Sequence, residues 1–359
     1  MRVRTPLIAI ILLTLLAACS APAAPQPTAT PPTPAADLSG IKDFLLDQAA
    51  SLTASTGALK AETDRYYALA EAAGFDYPRL WQEQRSELIP VIEAARELWV
   101  QASPQYEKME GIVAGTPSLA EFDVILDAGP SGEEDPENAA PVDLNLPDGR
   151  VLERPGNLFG VVESTLWGTF PAYSADVAAD WNQDGAVEFG ETLPDAAVLK
   201  AGADALDSYA SQLQTAAQEW SPSTSDAFTA LVVMVPTMSE YFASWRDSRF
   251  IAGEDSTQRD FVAISRLADI QDILGGLQIV YGQVRPLIDG VDAAQAAQIE
   301  SGLSSLKAFV ADVHQQEQGG RRYTAEEADL LGAEAQNRAT AVTGQIAQVA
   351  AQLGVVIEE

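Results

Sequence analysis

Apolar residues recur three and four positions apart over long stretches of this chain, and strand-like alternation is scarce. That spacing buries one face of a 3.6-residue turn, so the chain must fold from amphipathic helices packed on one another. Over Asp37 to Ala73 the face reads Ile41, Phe44, Leu45, Ala49, Leu52, Tyr66 and Leu69, and "GFDYPRL" then interrupts it. A second run covers Trp81 to Ala114, where Pro90 and Pro104 predict kinks or boundaries. The spacing predicts further helices over 118–127, 158–167, 195–220, 225–244, 260–281, 293–318 and 324–353. Thr324 and Glu327 have the spacing of a capping box, and Gly354 follows the last periodic leucine. About eight helices joined by loops predict an all-α bundle in two packed halves. Residues 129–156, rich in Pro, Gly and acids, predict a long loop.

The first residues bear on location. Arg2 and Arg4 precede an apolar run from Leu7 to Leu16, followed by Ala17, Ala18 and Cys19. The run is too short to span a bilayer and reads as a secretion signal over residues 1–18. "LAAC" has the form of a bacterial lipoprotein box, with cleavage before Cys19 and lipidation of its thiol; the plainer reading is an ordinary signal peptide. Cys19 is the only cysteine, so lipidation leaves no thiol for a disulfide or for catalysis. Residues 19–36 are Ala, Pro and Thr with almost no charge, a tether between membrane and folded domain (37–359). The expected location is extracytoplasmic and membrane-anchored. The chain carries a formal charge of −31. Such a surface repels nucleic acid and anionic lipid and favours cations.

"DWNQDGAVEFGE" carries the sharpest chemical signal. Asp180, Asn182, Asp184, Gly185, Glu188 and Glu191 occupy positions 1, 3, 5, 6, 9 and 12 of an EF-hand-like calcium loop, with the Ala186 carbonyl at position 7. Short oxygen side chains surround a hard cation, the glycine makes the sharp turn, and the last glutamate can bind through both oxygens. The loop is unpaired and Pro194 follows it, so the helix leaving it starts near Asp195. These features favour a structural Ca2+ clamping a helix–loop–helix corner over a calcium sensor.

A second stretch, "NLFGVVESTLWG" (157–168), resembles the "G-F-H-x-I-E-x-x-L-W-G" motif of imelysin-like proteins, among them the EfeO-type periplasmic iron-uptake lipoproteins, through Phe159, Glu163, Leu166, Trp167 and Gly168. In matching order, "ARELWVQASPQYEKMEGIVAG" is similar to that family's helix bearing a Tyr and a Glu (Tyr106, Glu110), and "SLAEFDVILDA" to its D-x-x-I-D segment (Asp123, Asp127). The resemblance runs from Asp37 to the end and implies an imelysin-like helical bundle with an H-x-x-E metal motif. Here Gly160 stands at the motif histidine. The groups the resemblance leaves, Glu110, Asp123, Asp127 and Glu163, offer oxygen only, which suits Ca, Mg or Mn as a second divalent cation better than Fe, Cu or Zn. Glu163 has an alternative reading, as a buried acid bonded to Tyr106 or an arginine.

His314, the only histidine, is three residues before Glu317 in a polar helix end and reads as exposed; nothing supports a zinc site or a catalytic triad built on it. Arg246, Arg249 and Arg266, near Trp245, read as partners for acids of the bundle core or as holders of an anionic ligand.

The residues alone imply an acidic, helical, calcium-binding lipoprotein. The resemblance adds a cation- or ligand-binding component related to metal (iron) uptake, with a degenerate family site and an envelope transport partner. The alternatives are an imelysin-type metallopeptidase, disfavoured by the missing histidine and the absence of H-E-x-x-H, and a structural envelope protein using calcium for stability.

Overall fold

The computed structural model describes residues 36–358. The expected signal (1–18), the lipidation site Cys19 and the tether, save Ala36, lie outside the described residues.

Among the described residues ten α-helices carry the fold: α1 (Ser39–Ala72), α2 (Tyr77–Val113), α3 (Ala120–Asp123), α4 (Leu158–Leu166), α5 (Ala196–Glu219), α6 (Thr224–Met234), α7 (Met238–Asp247), α8 (Arg249–Ala252), α9 (Arg266–Gln318) and α10 (Ala325–Leu353). The strands are short and pair antiparallel, β1 (Leu144–Asn145) with β2 (Val151–Leu152) and β3 (Ser174–Ala178) with β4 (Thr192–Pro194). One group of helices forms around α1, which packs on α2 and α5, with α4 against α5. The other forms around α10, which packs on α7, α6 and α9. Helix α9 also packs on α2, so the two groups share one continuous core. The all-α bundle expectation holds.

Capping explains several boundaries. Gly74 and Phe75 turn with φ of 64° and 57°. Asp76 then caps α2 by accepting from Arg79 N at 3.1 Å, with Pro78 in the first turn, where its missing N–H costs nothing. Asp195 caps α5 by accepting from Ala197 and Val198 N, as the position of Pro194 predicted. The Thr324–Glu327 capping box forms, and Gly354 closes α10 in the left-handed region at φ 68°.

Three expectations change. Pro90 and Pro104 lie inside α2 and end nothing. Each removes one backbone hydrogen bond, but buried Leu88, Val91 and Ile92, then Ala102, Ser103 and Tyr106, anchor the turns on either side. The helices predicted over 260–281 and 293–318 are one element, α9, bent at Asp292 (φ −154°, ψ 100°), whose carboxylate accepts from Ala294 and Gln295 N and restarts the helix. Residues 259–265 are irregular backbone ahead of α9, so the helix starts six residues later than predicted. Past α3 the chain widens into a π-turn, Val124–Ala128, closed by Gly129 N donating to Val124 O at 2.9 Å.

Candidate functional site

Where α2, α7, α9 and the π-turn meet, the core turns polar. Helix α2 places Glu107 and Glu110 one turn apart on its inner face. The π-turn and α3 add Asp127 and Asp123, and the first turn of α9 adds Arg266 and Asp269. All six are buried. Tyr106 Oη donates to Asp123 Oδ1 at 2.7 Å, and Tyr241 Oη donates to Glu110 Oε1. Arg266 Nη1 lies 3.0 Å from Asp269 Oδ2 and 3.5 Å from Glu107 Oε1, while Nη2 is 3.9 Å from Asp127 Oδ2. The guanidinium also stacks 3.8 Å from the Phe261 ring centre.

These bonds do not satisfy the cluster. Glu107 Oε2, Glu110 Oε2 and Asp127 Oδ2 are buried with no hydrogen-bond partner. Glu107, Glu110 and Asp127 also each offer an oxygen within 4.8 Å of the others', the one such set of three metal-ligand side chains among the described residues. Five carboxylates surround a single guanidinium, so full ionisation would leave a large uncompensated negative charge in a dry core. Burial pushes Glu107 and Asp127 well above the carboxylate range. It takes Asp123 up to about 8 and Asp269 to about 6, against the pull of Arg266. Protons or a cation must make up the missing positive charge.

A cavity with about 10 Å³ for the centre of a water-sized sphere abuts the cluster, room for one water or one bare ion. Glu107, Asp127 and Asp269 line it together with Gly160, Glu163 and Asp260. Glu163 is not bonded to Tyr106 or to an arginine. Its Oε2 accepts from Phe261 N at 2.6 Å, and its Oε1 from Val262 and Ala263 N at 2.9 and 2.8 Å. Burial still pushes its carboxyl up to about 8, opposed by those three donors.

The "DWNQDGAVEFGE" loop lies elsewhere, as the tip of a hairpin. Strand β3 leads into it and β4 leads out, so the expected helix–loop–helix corner is not formed. Helix α4 has already ended: Gly168 turns at φ 65°, and a Cβ there would overlap Thr192 on β4. The tip coils on its own oxygens. Asp180 accepts from Asp184 and Gly185 N, Asn182 from Asp184 N, and Asp184 from Ala186 N. Glu191 is buried and accepts from Trp181 N at 3.1 Å and Glu188 N at 2.7 Å. Asn182, Asp184, Ala186 and Glu188 are exposed. Behind the loop, Arg96 of α2 donates to Leu166 O, at the end of α4, and to Gly190 O, and its guanidinium lies over the Trp167 and Trp181 rings. Burial lowers the Arg96 pKa to about 10.

A family model described as Imelysin (Peptidase_M75) matches residues 44–356. The chain belongs to the imelysin family. A crystal structure of an imelysin-like protein from Psychrobacter arcticum 273-4 is similar over 90% of this chain and 99% of that one, at 15% identity and a TM-score of 0.43. No curated protein matches.

In this imelysin, Glu110, Asp123 and Asp127 lie in one buried cluster, and of the four acids that the resemblance implied only Asp127 and Glu163 line the cavity. Glu107 and Asp269 were missed. The signal for Glu107 was its place one turn before Glu110, and for Asp269 its place one turn after Arg266. Arg266 pairs with core acids, as read. Arg246 pairs with Asp247 and Asp329 at the surface instead. Arg249 has no carboxylate partner among the described residues and lies 3.5 Å from the Phe189 ring centre. His314 is half-buried rather than exposed, between Gln271 and Gln318, and burial lowers its pKa. Glu317 is turned away from it to accept from Trp245 Nε1 at 2.6 Å.

Proposed function

We propose that this imelysin-family protein is a cell-envelope cation-binding component that takes a hard divalent cation on Glu107, Glu110 and Asp127. The observation that carries the reading is the set of unpartnered, buried carboxylate oxygens on three side chains that face one another. Buried oxygens rarely go without a hydrogen bond, and of these three only Asp127 Oδ2 faces a cation, Arg266 Nη2 at 3.9 Å. Oxygen donors alone favour Ca2+, Mg2+ or Mn2+. When bound, the cation supplies the positive charge that Arg266 alone does not. Asp123, held by Tyr106, and Asp269, held by Arg266, keep the surrounding carboxylates in place. Binding displaces protons from the raised acids, which ties occupancy to pH.

The Asp180–Glu191 loop is read as a separate, structural Ca2+ site, with Asp180, Asn182, Asp184, the Ala186 carbonyl, Glu188 and Glu191 as ligands. Glu191 keeps lone pairs beyond those facing Trp181 and Glu188 N. Lipid anchoring at Cys19 and a link to metal uptake through an envelope partner complete the proposal. The family's name raises peptidase chemistry. The closed cluster favours binding over hydrolysis, because a cavity for one small occupant does not admit a peptide bond.

Metal analysis of purified protein, with Mn2+ and Ca2+ titrations of wild type and of Glu107→Gln, tests this. We expect one Mn2+ bound at the cluster and lost in Glu107→Gln, and one Ca2+ lost in Asp180→Asn. Stoichiometric Fe or Zn, or a Glu107→Gln protein that binds as wild type, overturns the cluster reading. Peptide hydrolysis that depends on Glu107 overturns the non-enzymatic one.

A further inference from the structure

The cavity beside the cluster has one acid that faces outward. The Asp260 side chain keeps 20% of its surface exposed, while Glu107, Asp127 and Asp269 keep 5% or less. Asp260 is also loosely held. Its Oδ2 lies 3.4 Å from Asn157 Nδ2 and 3.4 Å from Arg259 Nη2, both at the long limit for a hydrogen bond. Arg259 spends its stronger bond on Pro155 O, at 2.8 Å. Glu107 and Asp127 line the same cavity, on side chains more than nine-tenths buried, and Glu107 Oε2 and Asp127 Oδ2 are without hydrogen-bond partners.

Gly160 lets Asp260 sit there. A Cβ on residue 160 would overlap Asp260 Oδ2 and come within 2.9 Å of Asn157 Oδ1. The place where any side chain on α4 would begin is therefore filled by a carboxylate from another segment. That segment is held in an unusual shape. Phe261 has φ 58°, a left-handed value that is strained for a residue with a Cβ. Both Glu163 oxygens go to the N–H groups of residues 261–263. Three successive N–H groups converging on one carboxylate make a clamp, and the residue just before the clamp is Asp260.

We infer that Asp260 is the solvent-side acid of the cavity adjoining the cation site, the first carboxylate an entering cation meets, admitted by Gly160 and positioned by Glu163. This rests on the reading that the buried cluster takes a divalent cation. It changes the part played by Glu163, which positions the strap and is not itself a ligand. It also sets the ligand class, since a carboxylate over residue 160 makes the site oxygen-only from both sides and selects a hard cation. Asp260, the most exposed acid of the cavity lining, would offer an entering cation its first carboxylate, with Glu107 and Asp127 as the buried ones.

The test is Mn2+ binding to the full chain, followed by the Mn2+ electron paramagnetic resonance signal and by calorimetry, in the Asp180→Asn background so that the loop does not contribute. Asp260→Asn keeps the shape and removes the charge. Gly160→Ala keeps the charge and pushes the carboxylate away. We expect each to weaken Mn2+ at least tenfold, while Glu107→Gln abolishes it. Asp260→Asn and Gly160→Ala proteins that bind as wild type while Glu107→Gln does not overturn the role of Asp260 and leave the cation site standing. If Glu107→Gln also binds as wild type, the cation site falls first and this inference with it. The Gly160→Ala/Asp260→Ala pair checks folding, and we expect it to melt like Asp260→Ala alone. If Gly160→Ala alone fails to fold, Asp260→Asn decides by itself.

Discussion

Two oxygen-rich regions of this protein invite opposite treatment by sequence and by structure. The Asp180–Glu191 loop is contiguous, matches a known ligand spacing and stands largely in solvent, with its carboxylates accepting from its own backbone N–H groups. The core cluster is drawn from α2, the π-turn and α9, matches no linear pattern, and buries oxygens that nothing satisfies. A spacing motif reports which residues can reach an ion. Unmet electrostatic demand reports where the fold is incomplete without one. The two need not coincide.

The sharpest way to break the comparison is to remove the one cation the core already has. Arg266→Ala leaves Glu107, Asp127 and Asp269 without a positive partner, and we expect a loss of about 3–5 kcal/mol in urea unfolding. Saturating Mn2+ should recover part of it. A change under about 1 kcal/mol would mean that the cluster is held neutral by protons alone and has little need of a cation.

The pH profile comes next. Asp269, raised to about 6, and Asp123 and Glu163, raised to about 8, bind more protons folded than unfolded. Their contribution is complete below the unfolded value near 4 and is lost as pH rises through 6 to 8. The groups facing them are Glu107 and Glu110 of α2, Asp127 of the π-turn, Asp260, Arg266, and the phenols of Tyr106 and Tyr241. Metal-free protein should therefore melt lower at pH 8.5 than at pH 5.5, and Mn2+ should flatten the slope. A flat profile without metal would contradict the raised acids.

Glu163→Gln should cost less, about 1.5–3 kcal/mol, because an amide oxygen in place of Oε1 can still accept from Val262 and Ala263 N and only the bond from Phe261 N is lost. Its informative readout is hydrogen exchange at Phe261, Val262 and Ala263, which should accelerate while α1 and α5 stay protected. The smallest effect belongs to the loop. Glu191→Gln should change metal-free stability by about 1 kcal/mol. It should also remove any rise in melting temperature on adding Ca2+. If that rise survives, the calcium acts somewhere other than the loop.

Long helices were legible because burial on one face repeats along the chain, as in Ile41, Leu45, Leu52 and Leu59 of α1. Their boundaries were less so. Pro90 and Pro104 read as breaks, yet packing on both sides outweighs a missing N–H. Residues 260–265 read as helix, and only a carboxylate about a hundred positions earlier, Glu163, explains why they are not. The same holds for the site. Glu110, Asp123 and Asp127 could be carried over from a family likeness, but Glu107 and Asp269 look like ordinary surface acids until α2 and α9 are placed face to face. The hairpin around the loop depended on Gly168 and Thr192 meeting, which no local window contains.

Arg96 has a consequence for time rather than geometry. It fastens the base of the loop at Gly190 and the end of α4 at Leu166 to one side chain on α2, with two indole rings stacked against it. The exposed tip beyond Trp181 has no such fastening, so tip and base should relax on different clocks: fast amide exchange from Asn182 to Val187, slow exchange at Glu191. An ion arriving at the tip would then have only that one short arc of chain to quiet, and Trp181, seated at the boundary between the two rhythms, would report its arrival as a change in fluorescence.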